Sequence, residues 1–428
     1  MVVLVLVVVL SLSELYDWRI SANRRERHWK LFVACGASSI VLALVVMFLQ
    51  ILGLDDLVRF PGGSASSMTN RLILTILGAF LLLAVWRAFF HWAIARSRFH
   101  ERLLLLGAGR LASTLAREVH ERRDAGFEIV GIVAASADRP PEGESSPDPP
   151  LAAIHGDLDN LYEIARRLRV HRVIVALSDR RGNLPTEQLL RCRLEGISVE
   201  EWESLYERIA GRIAVESLRP SYLIFSGGFR KSRFAVAAKR TLDLFGATIG
   251  LVLTAPVSAA ATVAILLDSR GPVFIRQPRV GKDGRPFILY KFRTMRADAE
   301  RETGPVWAKV ADERITRTGR VLRRVRIDEL PQLLNVLSGD MSFVGPRPER
   351  PFFVEELKRE IPYYTQRLSV KPGITGWAQV NWRYGSSKED SLRKLQYDLY
   401  YIKNMSVLFD LLVLFRTIGV VFLRKGAV

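Results

Sequence analysis

The sequence predicts a membrane α/β protein with three parts: N-terminal transmembrane helices, a doubly wound parallel α/β domain, and a C-terminal α+β domain. Three observations lead to this fold class. Long apolar stretches fill roughly the first hundred residues, strands alternate with helices after Arg102, and a basic, turn-rich segment follows one further apolar stretch. We place the domains at residues 1–98, 99–228 and 229–428.

Composition points to a membrane or to anionic ligands. The chain has 428 residues, of which 49% are hydrophobic, yet its formal net charge is +18. This combination is uncommon in soluble enzymes and favours either a basic face on anionic lipid or the binding of nucleic acid or nucleotides. Cys35 and Cys192 lie far apart, and the six histidines do not cluster. The sequence therefore predicts neither a disulfide framework nor a His-rich metal site.

Three apolar stretches precede the α/β region. The first begins at Met1, and the second and third, Leu31–Leu54 and Leu72–Trp92, are about long enough to cross a bilayer. The first lacks the basic start and cleavage site of a signal peptide, so we interpret it as a membrane helix. The loop after the first stretch is basic, the loop after the second is nearly neutral, and the segment after the third is basic. This charge pattern predicts three crossings that deliver the chain after Phe99 to the cytoplasm.

The α/β region begins with a glycine turn. After the apolar strand RLLLL, the turn Gly107–Ala112 fits the pattern G-x-G-x-x-A, whose backbone amides bind a pyrophosphate in nucleotide-binding Rossmann units. The second strand ends in Val133–Ser136, without the carboxylate that contacts the ribose. We therefore predict a Rossmann-like scaffold or regulatory domain with little or no dinucleotide bound. A membrane-anchored NAD(P)-dependent oxidoreductase that uses this turn is the alternative function.

A fourth apolar segment, residues 239–267, carries Pro256 near its middle. Proline removes a helix hydrogen bond, so a kink is expected there. The basic segments that follow favour the cytoplasm, and we therefore predict a re-entrant membrane helix that enters one leaflet and returns. A straight crossing with a tolerated proline is the alternative. The last apolar stretch contains Asp410 and Arg416, which suits a helix on or partly in the membrane interface.

The chemistry is concentrated around Asp328 and Glu329. The following LLNVLS has helical spacing and ends at Gly339, and Pro331 fits a first turn, so Asp328 lies at or near a predicted N-cap. Nearby arginines and the helix terminus are expected to keep Asp328 ionised. Such an aspartate can cap the helix, help to bind Mg²⁺, or attack a phosphorus to form an acyl phosphate.

Two neighbouring segments offer phosphate contacts. In SFVGPRPE, two prolines hold Arg347 at a fixed geometry that suits a phosphate or carboxylate; a solvated arginine on a surface turn is the alternative. The segment PVFIRQPRVGKDGRPFILYKFRTM reads as a β-hairpin. It places Lys291 and Arg293 two residues apart, on the same face of a strand.

Five motifs together resemble the bacterial sugar transferase family: PVFIRQPRVG, YKFRTM, DELPQLLNVLSGDMSFVGPRPE, KPGITGWAQVN and YDLYYIKN. The resemblance covers about Phe234 to Val428. The order of membrane helices, Rossmann-like domain and C-terminal domain is similar to the long form of the monotopic phosphoglycosyl transferases. That form usually has four N-terminal membrane helices, and this sequence has three.

The resemblance implies transfer of a sugar-1-phosphate from a UDP-sugar to undecaprenyl phosphate, with release of UMP, at the start of exopolysaccharide or O-antigen synthesis. It implies that Asp328 is the nucleophile and that Glu329, together with Asp328, binds Mg²⁺. The further substrate-binding candidates are Lys291, Arg293, Arg323, Arg347 and Asp398, of which Asp398 has a structural role as its alternative.

The same resemblance implies a location and partners. The α+β domain would be catalytic, anchored by the re-entrant helix to the bacterial inner membrane on the cytoplasmic face. UDP-sugar, undecaprenyl phosphate and the lipid bilayer are the expected partners, and a homodimer through the Rossmann-like domain is a further expectation. No nucleic acid partner is expected, because the basic residues alternate with membrane segments instead of forming one patch.

Overall fold

The computed structural model describes most of the chain after residue 99. The predicted N-terminal spans and the Pro-rich loop at 140–150 lie outside the described residues, apart from single helical positions at 78, 81 and 85. Contacts divide the chain into two compact units, Met1–Glu200 and Glu201–Val428. The described residues are 100–122, 125–134, 153–177, 184–296, 314–382 and 387–422.

The first unit contains a five-stranded sheet. Its strands are β1 (Glu101–Leu106), β2 (Phe127–Val133), β3 (Ile154–Gly156), β4 (Arg172–Val175) and β5 (Ser198–Glu201). Their order is β3-β2-β1-β4-β5, and β1 runs parallel to both β2 and β4. The four leucines at 103–106 are fully buried, as expected for the central strand of a parallel sheet. The predicted parallel α/β domain is confirmed.

Three helices connect these strands: α1 (Arg110–Glu121), α2 (Leu161–Arg167) and α3 (Thr186–Leu194). The predicted glycine turn joins β1 to α1, where the strand order reverses. Gly107 has φ +111°, and a β-carbon there would lie 2.8 Å from the carbonyl oxygen of Ala176. The close approach of the chain just after β4 therefore explains why this position is glycine.

The second unit surrounds one long helix with short elements. Its helices are α4 (Trp202–Ala210), α5 (Pro220–Phe225), α6 (Arg233–Asp268), α7 (Arg317–Arg324), α8 (Gln332–Ser338), α9 (Pro351–Glu360), α10 (Trp377–Asn381), α11 (Lys388–Asn404) and α12 (Val407–Phe422). Its strands are β6 (Phe274–Val280), β7 (Pro286–Phe292), β8 (Ser342–Val344) and β9 (Gly373–Thr375). The mixture of separate helices and short strands matches the predicted α+β architecture.

The predicted hairpin is present in this unit. Strands β6 and β7 pair antiparallel from Phe274–Phe292 to Val280–Pro286. Between them, Asp283 has φ 56° and Gly284 has φ 76°, so the two residues reverse the chain in the left-handed region. Strands β8 and β9 form a second, parallel pair.

Helix α6 is long and apolar enough to cross a membrane, by length and composition, and it is the one such helix within the described residues. It has 36 residues, and 11% of its most apolar window is buried. The helix continues through Pro256 without interruption. The kink and the re-entrant path therefore stay predictions.

The two charged residues of helix α12, Asp410 and Arg416, both contact other parts of the protein. Asp410 is 1% exposed and accepts hydrogen bonds from Lys239 Nζ at 2.6 Å and from Tyr401 Oη at 2.6 Å. The guanidinium of Arg416 lies 4.8 Å from the ring centre of Trp377. Arg416 is nevertheless exposed, and the other exposed residues of the helix are apolar: Leu408, Leu411, Leu412 and Ile418.

Candidate active site

Asp328 and Glu329 lie in a short turn before helix α8. Arg326 adopts φ 59°, and residues Ile327–Glu329 form a single 3₁₀ turn. A left-handed conformation is uncommon for a long side chain and often marks a functional site. Both acidic residues are 8% exposed, so the turn brings two carboxylates into a poorly hydrated position.

Asp328, predicted at or near the N-cap of this helix, lies ahead of it and does not cap it. Helix α8 begins at Gln332, and its N-cap position is occupied by Pro331, which has helical dihedral angles and provides no side-chain cap. The 3₁₀ turn separates Asp328 from the helix. Its carboxylate is therefore available for other contacts.

Asn335 holds helix α8 against the hairpin. It is fully buried, accepts a hydrogen bond from Tyr290 N at 3.1 Å, and donates one to the carbonyl of Ile288 at 2.7 Å. These bonds join the acidic turn to the strand that carries Lys291. Sequence reasoning missed this residue, although an asparagine within the apolar stretch LLNVLS was a usable signal.

Glu329 is held by three basic side chains. Its Oε1 accepts hydrogen bonds from Arg347 Nη2 at 3.0 Å and Lys291 Nζ at 3.3 Å, and its Oε2 lies 3.6 Å from Arg326 Nη1. Burial alone would raise the pKa of Glu329, but Arg347, Lys291 and Arg326 outweigh burial and hold this pKa well below its usual value. Glu329 is thus a permanently ionised centre that organises the cations.

Asp328 has the opposite electrostatic balance. Burial and the neighbouring charge of Glu329 raise the pKa of Asp328, and Lys291, Arg323 and Arg347 offset this only in part. The nearby cations therefore do not lower the pKa of Asp328, because desolvation outweighs them, and its ionisation at neutral pH stays a prediction. A desolvated carboxylate whose charge is incompletely compensated is a stronger nucleophile than one held in a tight ion pair.

Lys291 and Arg323 approach the pair from two other elements. Lys291 lies near the end of β7, and its burial lowers the pKa of its ammonium, an effect that Glu329 opposes. Arg323, in the last turn of α7, donates from Nε to Thr294 Oγ1 at 2.8 Å. Each cation is thereby fixed by a contact within the protein before any ligand arrives.

The turn that carries Arg347 is fixed through the backbone. Gly345 N donates to Thr375 O at 2.9 Å, and Gly373 N donates to Pro346 O at 3.0 Å. A β-carbon at Gly345 would lie 2.4 Å from the carbonyl oxygen of Lys371, so only glycine permits this approach. The predicted rigid presentation of an arginine agrees with this geometry.

Two predicted site residues lie elsewhere. Arg293 follows the end of β7 and donates to the carbonyls of Ser269 at 2.6 Å and Arg270 at 3.0 Å, away from Lys291. Asp398 is 1% exposed and pairs with Arg367 at 2.8 Å. Neither contacts the acidic pair, because the strand alternation ends before Arg293 and because helix α11 turns Asp398 into the core.

Arg367 connects Asp398 indirectly to the site, through the turn that carries Arg347. Its guanidinium donates to Tyr364 Oη at 2.8 Å and to the backbone carbonyl of Arg347 at 3.0 Å. Asp398 therefore supports the arginine that supports the Arg347 turn. No sequence signal had marked Arg367.

The acidic pair fits Mg²⁺ shared with a phosphate ligand. It offers two adjacent oxygen donors, and among the described residues there is no group of three or more His, Cys, Asp or Glu side chains that could hold a metal. Mg²⁺ commonly takes one or two carboxylates and completes its coordination with water and substrate phosphates. Asp328 and Glu329 would be its protein ligands.

Replacing Asp328 by asparagine should stabilise the protein at neutral pH. Because the pKa of Asp328 is raised in the folded state, its ionised carboxylate lowers the free energy of unfolding once the pH exceeds the ordinary pKa of an aspartate. Asparagine carries no charge and avoids this loss. We expect a higher melting temperature than wild type at pH 7, in chelator, and convergence below about pH 4. Asp340→Asn, an exposed acid, is the control. Equal melting temperatures at pH 7 would contradict the assigned balance.

Replacing Asp398 by asparagine should destabilise the second unit. Removing one partner of a buried ion pair leaves the other charge uncompensated and typically costs about 3–5 kcal/mol. Denaturation of the detergent-solubilised chain measures this loss. The control is Glu360→Gln, which breaks an exposed pair with Lys388 at 3.2 Å and should cost less than about 1 kcal/mol. A variant of normal stability with weakened substrate binding would restore Asp398 as a ligand contact.

Comparisons with known proteins agree with this site. A family model described as bacterial sugar transferase matches residues 234–424, which include the acidic pair and its basic partners. A second model, described as a CoA-binding domain, matches residues 11–183.

Similar curated proteins carry sugar phosphotransferase names. The chain is 43% identical over 239 residues to a UDP-N-acetylgalactosamine-undecaprenyl-phosphate N-acetylgalactosaminephosphotransferase of Aeromonas hydrophila, covering 56% of each chain. It is 54% identical over 133 residues to a putative undecaprenyl-phosphate N-acetylgalactosaminyl 1-phosphate transferase of Bacillus subtilis, covering 31% of this chain and 74% of the relative.

The match of greatest extent among these is to a UDP-glucose:undecaprenyl-phosphate glucose-1-phosphate transferase of Escherichia coli. The two are 33% identical over 342 residues, which is 78% of this chain and 70% of the relative. Since the similarity extends through both units and the family model spans the whole acidic site, the chain belongs to the bacterial sugar transferase family.

Proposed function

We propose that the protein transfers a sugar-1-phosphate from a UDP-sugar to undecaprenyl phosphate and releases UMP. The observation that carries this proposal is the buried pair Asp328–Glu329 surrounded by cations, in a chain whose relatives bear the names of such transferases. The reaction is the first membrane step in the synthesis of an exopolysaccharide or O-antigen.

Asp328 is the nucleophile of the proposed reaction. In the first step its carboxylate attacks the phosphorus that bears the sugar, and the bond from this phosphorus to the bridging oxygen breaks as UMP leaves. In the second step a phosphate oxygen of undecaprenyl phosphate attacks the same phosphorus. The acyl-phosphate bond breaks, Asp328 is regenerated, and the product is an undecaprenyl diphosphate sugar.

The surrounding cations supply most of the catalysis in this scheme. Phosphoryl transfer depends on positioning and on neutralising charge on the phosphate oxygens. Lys291 and Arg347 are already oriented by Glu329, and Arg323 is oriented by Thr294. Because these groups need not reorganise during the reaction, they stabilise developing charge at low cost. Mg²⁺, when bound at the pair, would neutralise further charge on the diphosphate.

The oxidoreductase alternative has no support among the related proteins. The names of these relatives describe sugar-phosphate transfer or sugar transferases, and none describes hydride transfer. The packing of Gly107 against Ala176 gives its turn a structural reason that requires no dinucleotide.

Helix α6 serves as a re-entrant membrane anchor in this proposal. Near its start, Asp243 accepts hydrogen bonds from Ser342 Oγ and Phe343 N, each at 3.0 Å. At its end, Asp268 accepts one from Thr318 N at 2.9 Å. Both ends are thus attached to the same unit, which disfavours a straight crossing that would separate them by a bilayer.

The middle of α6 is the part suited to lipid. Its buried residues are Asp243 and Ala247 on one side of Pro256 and Ala261 and Ile265 on the other. Between these pairs, none of the residues 252–260 is buried. This central, apolar segment enters the cytoplasmic leaflet of the inner membrane in our proposal, and the catalytic unit stays on the cytoplasmic face.

Asp328→Asn should abolish transfer. Purified wild-type protein, undecaprenyl phosphate and a panel of UDP-sugars are expected to release UMP with at least one sugar, and the variant should release none. Asp340→Asn is the matched control and should retain wild-type rates. Mass spectrometry of wild type with UDP-sugar alone should find a sugar-phosphate adduct on Asp328. Full activity of the Asp328 variant would exclude its role as nucleophile.

Cysteine labelling tests the anchor. In a background without native cysteines, Phe234→Cys and Arg270→Cys lie in exposed positions before and after the apolar segment. Both should react with a membrane-impermeant maleimide from the cytoplasmic side, and Val257→Cys should react from neither side. Labelling of the two end positions from opposite sides would establish a straight crossing instead.

A further inference from the structure

A cavity of about 160 Å³ opens beside Glu329. Its walls come from the acidic turn, α8, β9, α10 and α12. Five of its eleven lining residues are aliphatic: Leu330, Leu333, Ile374, Val380 and Val420. The cavity belongs to the second unit.

Two arginines also line this cavity. Arg324 and Arg326 line it together with Glu329. Arg324 is exposed, and Arg326 has the left-handed backbone that begins the acidic turn. A cavity whose lining combines aliphatic side chains with two arginines is complementary to an amphiphilic anion, a phosphate ester of a hydrocarbon.

We propose that this cavity binds the isoprene unit nearest the phosphate of the lipid acceptor, and that Arg324 and Arg326 face the acceptor phosphate. The inference rests on the proposed function, and it adds the place where the acceptor enters. The phosphate then lies next to Glu329, at the side of the turn that carries Asp328.

The size of the cavity favours a hydrocarbon fragment over a whole nucleotide sugar. Apolar protein cavities of about 150 Å³ accept a benzene molecule, which is close in size to a five-carbon isoprene unit. A UDP-sugar is several times larger. Lys291, Arg323 and Arg347 are better placed to bind the diphosphate of the UDP-sugar, because contacts within the protein hold them around the acidic pair.

Helix α12 links the cavity to the apolar exterior of the unit. Thr417 and Val420 line the cavity, and Leu408 and Leu411 are exposed on the same helix. The Thr417 hydroxyl donates to Val413 O at 2.8 Å and is 2.7 Å from the Thr375 hydroxyl, so it needs no ligand. A long hydrocarbon chain can therefore leave the cavity along an apolar surface.

One lining group would suit a different occupant. The Oε1 atom of Gln379 is buried without a hydrogen-bond partner in the described structure, while its Nε2 donates to Ile374 O at 3.2 Å. A uracil ring has about the size of benzene and could donate an N–H to that oxygen. The five aliphatic lining residues and the link to α12 favour the lipid, and Gln379 provides the means to distinguish the two.

The test is the KM of each substrate for cavity variants of the full-length protein in nanodiscs. Val380→Trp fills the cavity and should raise the KM for undecaprenyl phosphate at least about tenfold, since burial of several carbons is lost. The KM for UDP-sugar should stay within about twofold. Val321→Trp, the same change at an exposed position of α7 that does not line the cavity, is the control.

Gln379→Leu separates the two occupants. If the lipid fills the cavity, this variant keeps or lowers the KM for undecaprenyl phosphate and leaves that for UDP-sugar unchanged. A raised KM for UDP-sugar in either cavity variant, or an unchanged lipid KM in Val380→Trp, would overturn the proposal.

A crosslinking measurement on wild-type protein tests the proposal even if the cavity variants fail to fold. A photoreactive isoprenyl phosphate, crosslinked to wild-type protein, should label peptides that contain Leu333 or Val380, and unlabelled undecaprenyl phosphate should compete. Labelling confined to other peptides would overturn the proposal. Crosslinking requires no turnover, so it tests the cavity proposal independently of activity. Absence of UMP release from wild type would instead refute the proposed function.

Discussion

The second unit depends on the burial of one ionised carboxylate. Glu329 cannot be placed in a poorly hydrated position unless opposite charges compensate for lost solvation, and Arg347, Lys291 and Arg326 provide this compensation. These cations come from the Gly345–Pro348 turn, the hairpin and the acidic turn itself. The carboxylate therefore specifies how three separate segments must meet.

The neighbouring carboxylate gains its properties from the same arrangement. Since Glu329 uses the nearest cations, Asp328 is left with burial and like charge as the leading influences on its pKa. Two adjacent acids thus acquire different electrostatic environments without any difference in exposure. Such a division suits a site in which one carboxylate organises cations and the other reacts.

Much of this architecture could be predicted from the sequence. The parallel sheet, the hairpin and the meeting of Lys291, Arg323 and Arg347 around the acidic pair follow from periodicity, turn residues and motifs. What could not be predicted depends on atoms distant in sequence. Asp328 was expected to cap a helix, but Pro331 takes that position.

The remaining differences have similar causes. Arg293 was placed with Lys291 by strand alternation, which stops where the strand ends. Asn335 and Arg367 act through hydrogen bonds to backbone groups of other segments, and residue type and spacing carry almost no information about such partners. The balance between desolvation and charge at Asp328 likewise requires knowledge of burial, which one sequence does not provide.

The distribution of these charges has a consequence for assembly of the protein. A folding intermediate that lacks the hairpin or the Gly345–Pro348 turn would leave Glu329 with too few cations. The remaining cations would repel one another where no carboxylate separates them. Both effects raise the free energy of partly folded states. The arrangement of the acidic pair and the cooperativity of this unit consequently share one origin. Under the proposed function, Asp328 is in place to react only after all three segments have docked.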